Sequence, residues 1–86
     1  MKIIISPRAE KQLRKIAKFD QIAIAQKIRS LVQSNISGEE KLSGYPHMYR
    51  VRVGNYRIAY RKTEFIYIIL IGHRKDIYRA LQDLLT

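Results

Sequence analysis

The stretch that decides the fold is Tyr49-Arg50-Val51-Arg52-Val53-Gly54-Asn55-Tyr56-Arg57-Ile58-Ala59-Tyr60. On both sides of Gly54-Asn55, valine, isoleucine and tyrosine alternate with arginine or alanine, and a glycine–asparagine pair is typical of a two-residue β-turn. The stretch therefore predicts a β-hairpin in which Arg52 lies opposite Arg57. Because successive side chains of a strand point to opposite faces of a sheet, one face should collect Arg50, Arg52, Arg57 and Arg61.

The residues before the hairpin predict one strand and two helices. The β-branched run Ile3-Ile4-Ile5 is typical of a short strand. Ser6-Pro7 is typical of a helix start, with serine as the N-cap and proline at the first helical position. Apolar residues at helical spacing follow, and Asp20 is predicted as the N-cap of a second helix that ends near residues 35–38.

The residues after the hairpin predict one more strand and a third helix. Residues 65–71 are apolar on both faces, as in a central strand, and apolar residues at helical spacing from Ile77 onwards indicate a short helix. Residues 39–47 are predicted as a loop, so the order is β-α-α-β-β-β-α. We therefore expect a single α+β domain over residues 1–86: a mostly antiparallel four-stranded sheet with a helix hairpin on one face and a short C-terminal helix.

The orientation of the last strand depends on the turn before it. A two-residue loop at Thr63-Glu64 would place alternate residues of the strand on the arginine face, namely Ile66, Ile68, Leu70 and Gly72. A three-residue turn would invert the strand. The apolar members of this set need a cover, which we expect the C-terminal helix to provide, and Tyr78 would then lie close to the arginines.

The composition excludes several classes of protein. The chain has 86 residues, 17 of them basic against 7 acidic, with a formal charge of +10, and it is 47% hydrophobic, too apolar for a disordered basic tail. It has no cysteine, which excludes disulfides, thiolate catalysis and cysteine-ligated zinc. No apolar run approaches the ~20 residues of a membrane span, and the N-terminal one is too short for a signal peptide. We expect a cytoplasmic protein without membrane association.

The positive charge has two interpretations. Any single arginine on a strand is usually a solvated residue, and the basic residues of the first helix are typical of a solvated helix face. Four arginines on one sheet face, with Arg74 close behind the last strand, instead favour a phosphate-binding surface. His47 and His73 lack the spacing of metal ligands, so we assign no metal and no small-molecule cofactor.

Two motifs resemble those of the RelE/ParE toxin superfamily. Residues 49–60 resemble its "yRvRvGdYRviY" core, and the segment Ile71-Gly72-His73-Arg74-Lys75-Asp76-Ile77-Tyr78 resembles the "GhR.evY" segment that follows it. The resemblance, which covers nearly the whole chain, implies a toxin of a type II toxin–antitoxin system. In the RelE-like branch, which the motifs resemble most, such toxins are endonucleases that enter the ribosomal A site, cut mRNA within codons and are neutralised by a cognate antitoxin, here expected to be acidic.

The resemblance also implies roles for individual residues. The implied catalytic set is Arg52, Arg57, Arg74 and Tyr78. The expected RNA contacts come from Arg50, Arg61, His73 and Lys75. RelE-type enzymes commonly have lysines at the first two arginine positions, and arginine is not a base at neutral pH. We therefore expect Tyr78 to take the 2′-hydroxyl proton, with Arg52 and Arg57 favouring its ionised form, and His73 to be the reserve base.

Three other functions stay open. A ParE-like toxin would have the same fold and would inhibit DNA gyrase without a catalytic site. A plain RNA- or ribosome-binding protein would not cleave its ligand, and a basic face could also serve only to hold the acidic antitoxin. The joint presence of Arg52, Arg57, Arg74 and Tyr78 favours the endonuclease, because a non-catalytic toxin has no evident need of the whole set.

Overall fold

The computed structural model describes residues 1–33 and 35–85, which form a five-stranded sheet and three helices. Along the chain the elements are β1 (Lys2–Ile5), α1 (Pro7–Arg14), α2 (Lys18–Ser30), β2 (Glu40–Lys41), β3 (Met48–Val53), β4 (Tyr56–Lys62), β5 (Phe65–His73) and α3 (Arg74–Leu85). The strand order is β1-β5-β4-β3-β2. Strand β1 is parallel to β5 and the other neighbours are antiparallel, so the predicted α+β class is confirmed.

The predicted hairpin is confirmed in its register. Strands β3 and β4 pair with Val53 opposite Tyr56 and Arg52 opposite Arg57. Gly54 has a φ of 59°, which supplies the positive φ that the first position of a type II′ turn requires. The hairpin therefore places its arginines on one face, as the alternation predicted.

The prediction of a four-stranded sheet is wrong, because the sheet has five strands. Segment 39–47, predicted as a loop, contains β2, in which Glu40 pairs with Arg50 and Lys41 with Tyr49. A nitrogen of the Arg50 guanidinium lies 3.3 Å from the Glu40 carboxylate, so side chains also join these strands. A strand of two charged residues has neither apolar alternation nor β-branched residues, and the sequence pattern therefore contains no signal for it.

The first half of β5 faces the side opposite to the one predicted. Lys62 pairs with Ile66, so residues 63–65 form a three-residue turn. Ile66 and Ile68 are consequently buried with apolar residues of α1 and α2, in the core on the side of the helix hairpin. The expectation that they lie on the arginine face is wrong, because one additional turn residue exchanges the two faces of a strand.

A β-bulge returns the second half of β5 to the predicted orientation. The register shifts between Ala59 and Tyr60, which leaves Ile69 as an extra residue on β5. Beyond the bulge, Leu70 is buried against α3, and Gly72 lies opposite a β4 arginine. Both residues are therefore on the arginine face, as predicted.

The start of α1 is confirmed and the start of α2 is not. Ser6 Oγ accepts a hydrogen bond from the Ala9 N–H at 3.0 Å, and its hydroxyl donates to the Ile69 carbonyl at 3.0 Å, which ties the cap to the β5 bulge. The N-cap of α2 is Ala17 and not Asp20, and Ala17 makes no side-chain capping bond. Asp20 lies in the first helical turn, where a carboxylate still interacts favourably with the positive end of the helix dipole.

Helices cover both faces of the sheet. Helices α1 and α2 pack on one face. On the arginine face, Ile77 and Leu81 of α3 pack on Met48, Ala59 and Leu70. Helix α3 thus covers the middle of that face and leaves the hairpin end accessible. No helix within residues 1–33 and 35–85 is long and apolar enough to cross a membrane.

Candidate functional site

Two arginines lie directly opposite each other at the hairpin end of the arginine face. Arg52 Nε donates to the Gly54 carbonyl at 3.2 Å, and Arg57 Nη1 donates to the Tyr56 carbonyl at 3.3 Å. Within the described ranges of the chain, neither guanidinium forms an ion pair with a carboxylate. Like charges opposite each other destabilise a sheet, so this pair suits an anionic ligand better than it suits the fold alone.

A third arginine on this face, Arg50, contacts the side chain of Tyr78 on α3. The Arg50 guanidinium lies over the Tyr78 ring, 4.9 Å from its centroid, and it is also paired with the Glu40 carboxylate. Arg50 Nε is buried and has no hydrogen-bond partner in the described part of the chain. The Tyr78 ring is fixed on one side, while 45% of the residue stays exposed. Tyr78 therefore lies beside the arginines, as expected, and Arg50 is the one that contacts it.

The start of α3 adds a fourth arginine at the same end of the sheet. The Arg74 N–H donates to the Asn55 carbonyl at 2.8 Å, which ties the first residue of α3 to the hairpin turn. Gly72 pairs with Arg57 and has no side chain to fill the space beside it. A Cβ at Gly72 would lie 3.6 Å from Ile77 Cδ1, in ordinary contact, so the site does not require glycine for lack of room.

Two of the predicted RNA contacts lie outside this group. His73 packs edge-to-face on Tyr56, with the ring centroids 5.9 Å apart, which places it on the face of the helix hairpin. Its Nδ1 accepts a hydrogen bond from the Lys75 N–H at 3.3 Å. Arg61 is exposed at the far end of β4, where it pairs with Met48 on β3. The exposed Lys75 follows Arg74 at the helix start and stays with the group.

A cleft lies next to Tyr78, on the side away from the hairpin turn. It has a volume of about 320 Å³ and is formed by the β2–β3 loop and by α3. Its lining residues are Leu42, Ser43, Tyr45, Tyr78, Leu81 and Gln82. The sequence pattern identified only Tyr78 among them as a site residue, because the loop residues form no periodic pattern.

A polar cluster on the other face of the sheet, the one covered by α1 and α2, stabilises the fold and is not part of the candidate site. The Tyr60 hydroxyl donates to the Glu39 carboxylate, which also accepts from Lys62 Nζ at 3.0 Å. Lys62 Nζ lies 4.7 Å from the centroid of the Tyr49 ring, and that ring stacks on Tyr60. Burial and the hydrogen bond to Glu39 raise the pKa of the Tyr60 phenol well above its ordinary value. The cluster anchors the segment that leads into β2, and no part of it reaches the arginines.

Comparison with known proteins identifies relatives across almost the full chain. The family model described as "ParE toxin of type II toxin-antitoxin system, parDE" matches residues 3–78. A search of curated proteins finds no match.

Several solved structures share the fold. A chain of the RelB–RelE antitoxin–toxin complex from Methanococcus jannaschii is 26% identical, with a TM-score of 0.75, and the match covers 90% of this chain and 96% of that one. The isolated E. coli RelE toxin is 22% identical, with a TM-score of 0.71 and coverages of 99% and 98%. A chain of the RelE–RelB complex from Pyrococcus horikoshii is 22% identical, with a TM-score of 0.73 and coverages of 85% and 93%.

Proposed function

The chain belongs to the ParE toxin family, within the RelE/ParE superfamily of type II toxin–antitoxin toxins, and from this premise we propose that it is a ribosome-dependent mRNA endonuclease. The substrate in this proposal is an mRNA codon in the ribosomal A site, and cleavage inhibits translation. The observation that carries the proposal is the opposed pair Arg52–Arg57, with Arg74 at the adjacent helix start and Tyr78 on the same face.

RNA cleavage needs little from such a site beyond positioning and charge. The 2′-hydroxyl of RNA is an internal nucleophile that attacks the adjacent phosphorus, and the bond from phosphorus to the 5′-oxygen breaks. The products are a 2′,3′-cyclic phosphate and a 5′-hydroxyl. The protein must align these three atoms and neutralise the charge that develops on the phosphate oxygens.

The arginine pair supplies the charge. A guanidinium presents a planar fork of donors that matches two phosphate oxygens, and Arg52 and Arg57 use only part of their donors on backbone carbonyls. Neither has a carboxylate partner within residues 1–33 and 35–85 that a phosphate would have to displace. In this scheme the pair binds the equatorial oxygens of the phosphate, and Arg74 stabilises the leaving 5′-oxygen, which takes its proton from solvent.

Tyr78 is the proposed proton relay: its phenolic oxygen accepts the proton of the 2′-hydroxyl while the phenol's own proton passes to solvent. Tyr78 is exposed at the edge of the arginine face. The Arg50 guanidinium lies over its ring, and the charge of Arg50 is balanced by Glu40. Acid–base help of this kind typically contributes ~10²–10⁴-fold to a rate. His73 is less suited to the role of reserve base, because its ring packs on Tyr56 on the other face.

The proposed partners follow from charge and from the solved relatives. The RelE structures from Methanococcus jannaschii and Pyrococcus horikoshii are complexes with RelB antitoxins. A chain with a formal charge of +10 attracts both an acidic antitoxin and RNA. We therefore propose that a cognate acidic antitoxin neutralises this toxin in the cytoplasm, where ribosomes and mRNA are its targets.

The family model itself favours a second candidate. Its description is that of ParE toxins, so inhibition of DNA gyrase by a non-catalytic toxin is the alternative, and a non-cleaving RNA- or ribosome-binding protein is a third. The structural relatives described above are RelE proteins. The Arg52–Arg57 pair, which has no carboxylate partner within residues 1–33 and 35–85, has together with Tyr78 no evident use in a protein that only binds gyrase. We therefore place the endonuclease first.

Mapping of RNA ends in cells tests the proposal against both alternatives. The toxin is induced with and without an inhibitor of translation, and the 5′ ends of mRNA are sequenced. We expect the wild-type toxin to produce new 5′ ends inside translated codons. These ends should be absent when translation is inhibited, and they should also be absent when the Arg74→Ala variant is induced. Arg29→Ala, at an exposed arginine of α2 on the opposite side of the sheet, is the matched control and should cut like the wild type. Intact mRNA with gyrase-dependent DNA breaks would support the ParE-like function instead.

A further inference from the structure

The cleft between the β2–β3 loop and α3 has no role in the scheme above. It has a volume of about 320 Å³, and Tyr45 and Tyr78 contribute aromatic walls while Leu42 and Leu81 contribute aliphatic ones. We infer that this Tyr45 cleft receives one nucleobase of the RNA whose phosphate lies on the arginine face. The inference rests on the proposed function and adds a specificity pocket to it.

The Tyr78 ring connects the cleft to the phosphate site. One side of the ring contacts the Arg50 guanidinium, at 4.9 Å from the centroid, and the residue also lines the cleft. A nucleotide consists of an anionic phosphate joined to a flat aromatic base, and the protein presents arginines followed directly by an aromatic-lined cleft. The order of charge and aromatic surface on the protein therefore matches their order in a nucleotide.

The loop that forms one wall is held in place by hydrogen bonds. The Leu42 N–H donates to the Met48 carbonyl at 2.9 Å, and the Met48 N–H donates to the Tyr45 carbonyl at 3.3 Å. The Lys62 N–H donates to the His47 carbonyl at 2.8 Å, which fastens the loop to β4. Leu42 also packs on the apolar cluster beneath α3. Because the wall is already ordered, a base would bind with little loss of loop entropy.

The chemistry of the cleft favours a base over a protein side chain. The surrounding face has an excess of arginine, which attracts a phosphate-linked ligand, and base–aromatic stacking tolerates any base because every base has a π-face. Ser43 adds a hydroxyl that is both a donor and an acceptor, so it can read the edge of a base. We therefore expect the cleft to produce a preference for certain bases beside the cut.

A binding measurement with an uncleavable RNA tests the inference. The probes are a 2′-O-methyl RNA trinucleotide and the same trinucleotide with an abasic residue, titrated into the purified protein and followed by NMR. We expect Tyr45→Ala to weaken binding of the complete trinucleotide by about tenfold and to leave binding of the abasic one unchanged. Tyr45→Phe keeps the ring and should bind like the wild type.

Tyr67→Ala is the matched control. Tyr67 and Tyr45 are tyrosines of similar exposure, 40% and 37%, but Tyr67 lies on β5 opposite Arg61, away from the cleft. The control should bind both probes like the wild type. The inference is overturned if Tyr45→Ala binds the complete trinucleotide unchanged, which would assign the cleft to another occupant such as a side chain of the antitoxin. Equal weakening of both probes would also overturn it.

Cleavage on programmed ribosomes separates this inference from the proposed function. If the wild-type protein fails to cut mRNA while Tyr45→Ala still loses affinity only for the complete trinucleotide, the endonuclease proposal fails and the base cleft stands. If the protein cuts mRNA and Tyr45→Ala leaves both the binding and the base preference of the cuts unchanged, the endonuclease proposal stands and the base cleft fails.

Discussion

We predict that a substitution in the proposed catalytic set stabilises the fold, because two arginines of that set lie opposite each other on neighbouring strands. Arg52 and Arg57 are cross-strand partners. The two-residue turn makes Val53 and Tyr56 the hydrogen-bonded closing pair, so the arginines form a non-hydrogen-bonded pair, the class with the closer side chains. Arg57→Gln removes one of the two like charges and keeps a long polar side chain at the same position.

The magnitude follows from the cost of like charges on neighbouring strands. Directly opposite like charges cost roughly 0.2–1 kcal/mol, and the hydrogen bond from Arg57 to the Tyr56 carbonyl is long, at 3.3 Å, and partly exposed. We therefore expect Arg57→Gln to be more stable by about 0.5 kcal/mol at low salt, which corresponds to a rise in Tm of about 2–4 °C for a chain of this size. The gain should shrink at high salt, because exposed charges are screened.

Thermal unfolding followed by circular dichroism measures the effect at low and at high salt. Arg52→Gln should give a similar gain, and the double variant should gain little more, because either single change already removes the repulsion. Arg61→Gln is the control, since Arg61 pairs with the uncharged residues Met48 and Tyr67, and its Tm should not rise. A lower Tm for Arg57→Gln at low salt, or fully additive gains, would refute the reasoning.

Three further predictions concern stability. Ser6→Ala removes both the cap of α1 and the donor to the Ile69 carbonyl, and urea unfolding should show a loss of about 1–2 kcal/mol. Leu70→Ala leaves a cavity beneath α3, and the same assay should show a loss of about 2–5 kcal/mol. Because the pKa of Tyr60 is raised by folding, the native state keeps a proton that the unfolded chain loses above pH ~10, so wild-type stability should fall with rising pH by up to ~1.4 kcal/mol per pH unit. Tyr60→Phe should fall less steeply between pH 10 and 12, and parallel curves for the two proteins would contradict this.

The hairpin was predictable because its signals are local. Alternation fixes the two faces of β3 and β4, and Gly54-Asn55 fixes the register, so the opposition of Arg52 and Arg57 follows from adjacent residues alone. The orientation of β5 was not predictable in the same way. It depends on a three-residue turn and on a bulge at Ile69, and residues 65–71 are apolar on both faces, so the sequence does not distinguish one orientation from the other.

The candidate site was predictable in its residues and only partly in its contacts. The arginines and Tyr78 follow from alternation and from the resemblance to the toxin superfamily. The partner of Arg50 is Glu40, which lies in a two-residue strand without a sequence pattern, and the wall that includes Tyr45 lies in a loop held by backbone hydrogen bonds. Contacts of this kind depend on the tertiary fold, and no spacing in the sequence encodes them.

The most direct test of the central claim is cleavage of an mRNA that has one 2′-deoxynucleotide in the A-site codon. Purified toxin is added to ribosomes programmed either with this mRNA or with its all-ribose counterpart, and the product ends are identified. If the 2′-hydroxyl is the nucleophile, the all-ribose mRNA should yield a 2′,3′-cyclic phosphate and a 5′-hydroxyl, and the deoxy substitution should abolish the cut at that position. Equal cleavage of the two mRNAs, or 5′-phosphate ends, would contradict the account.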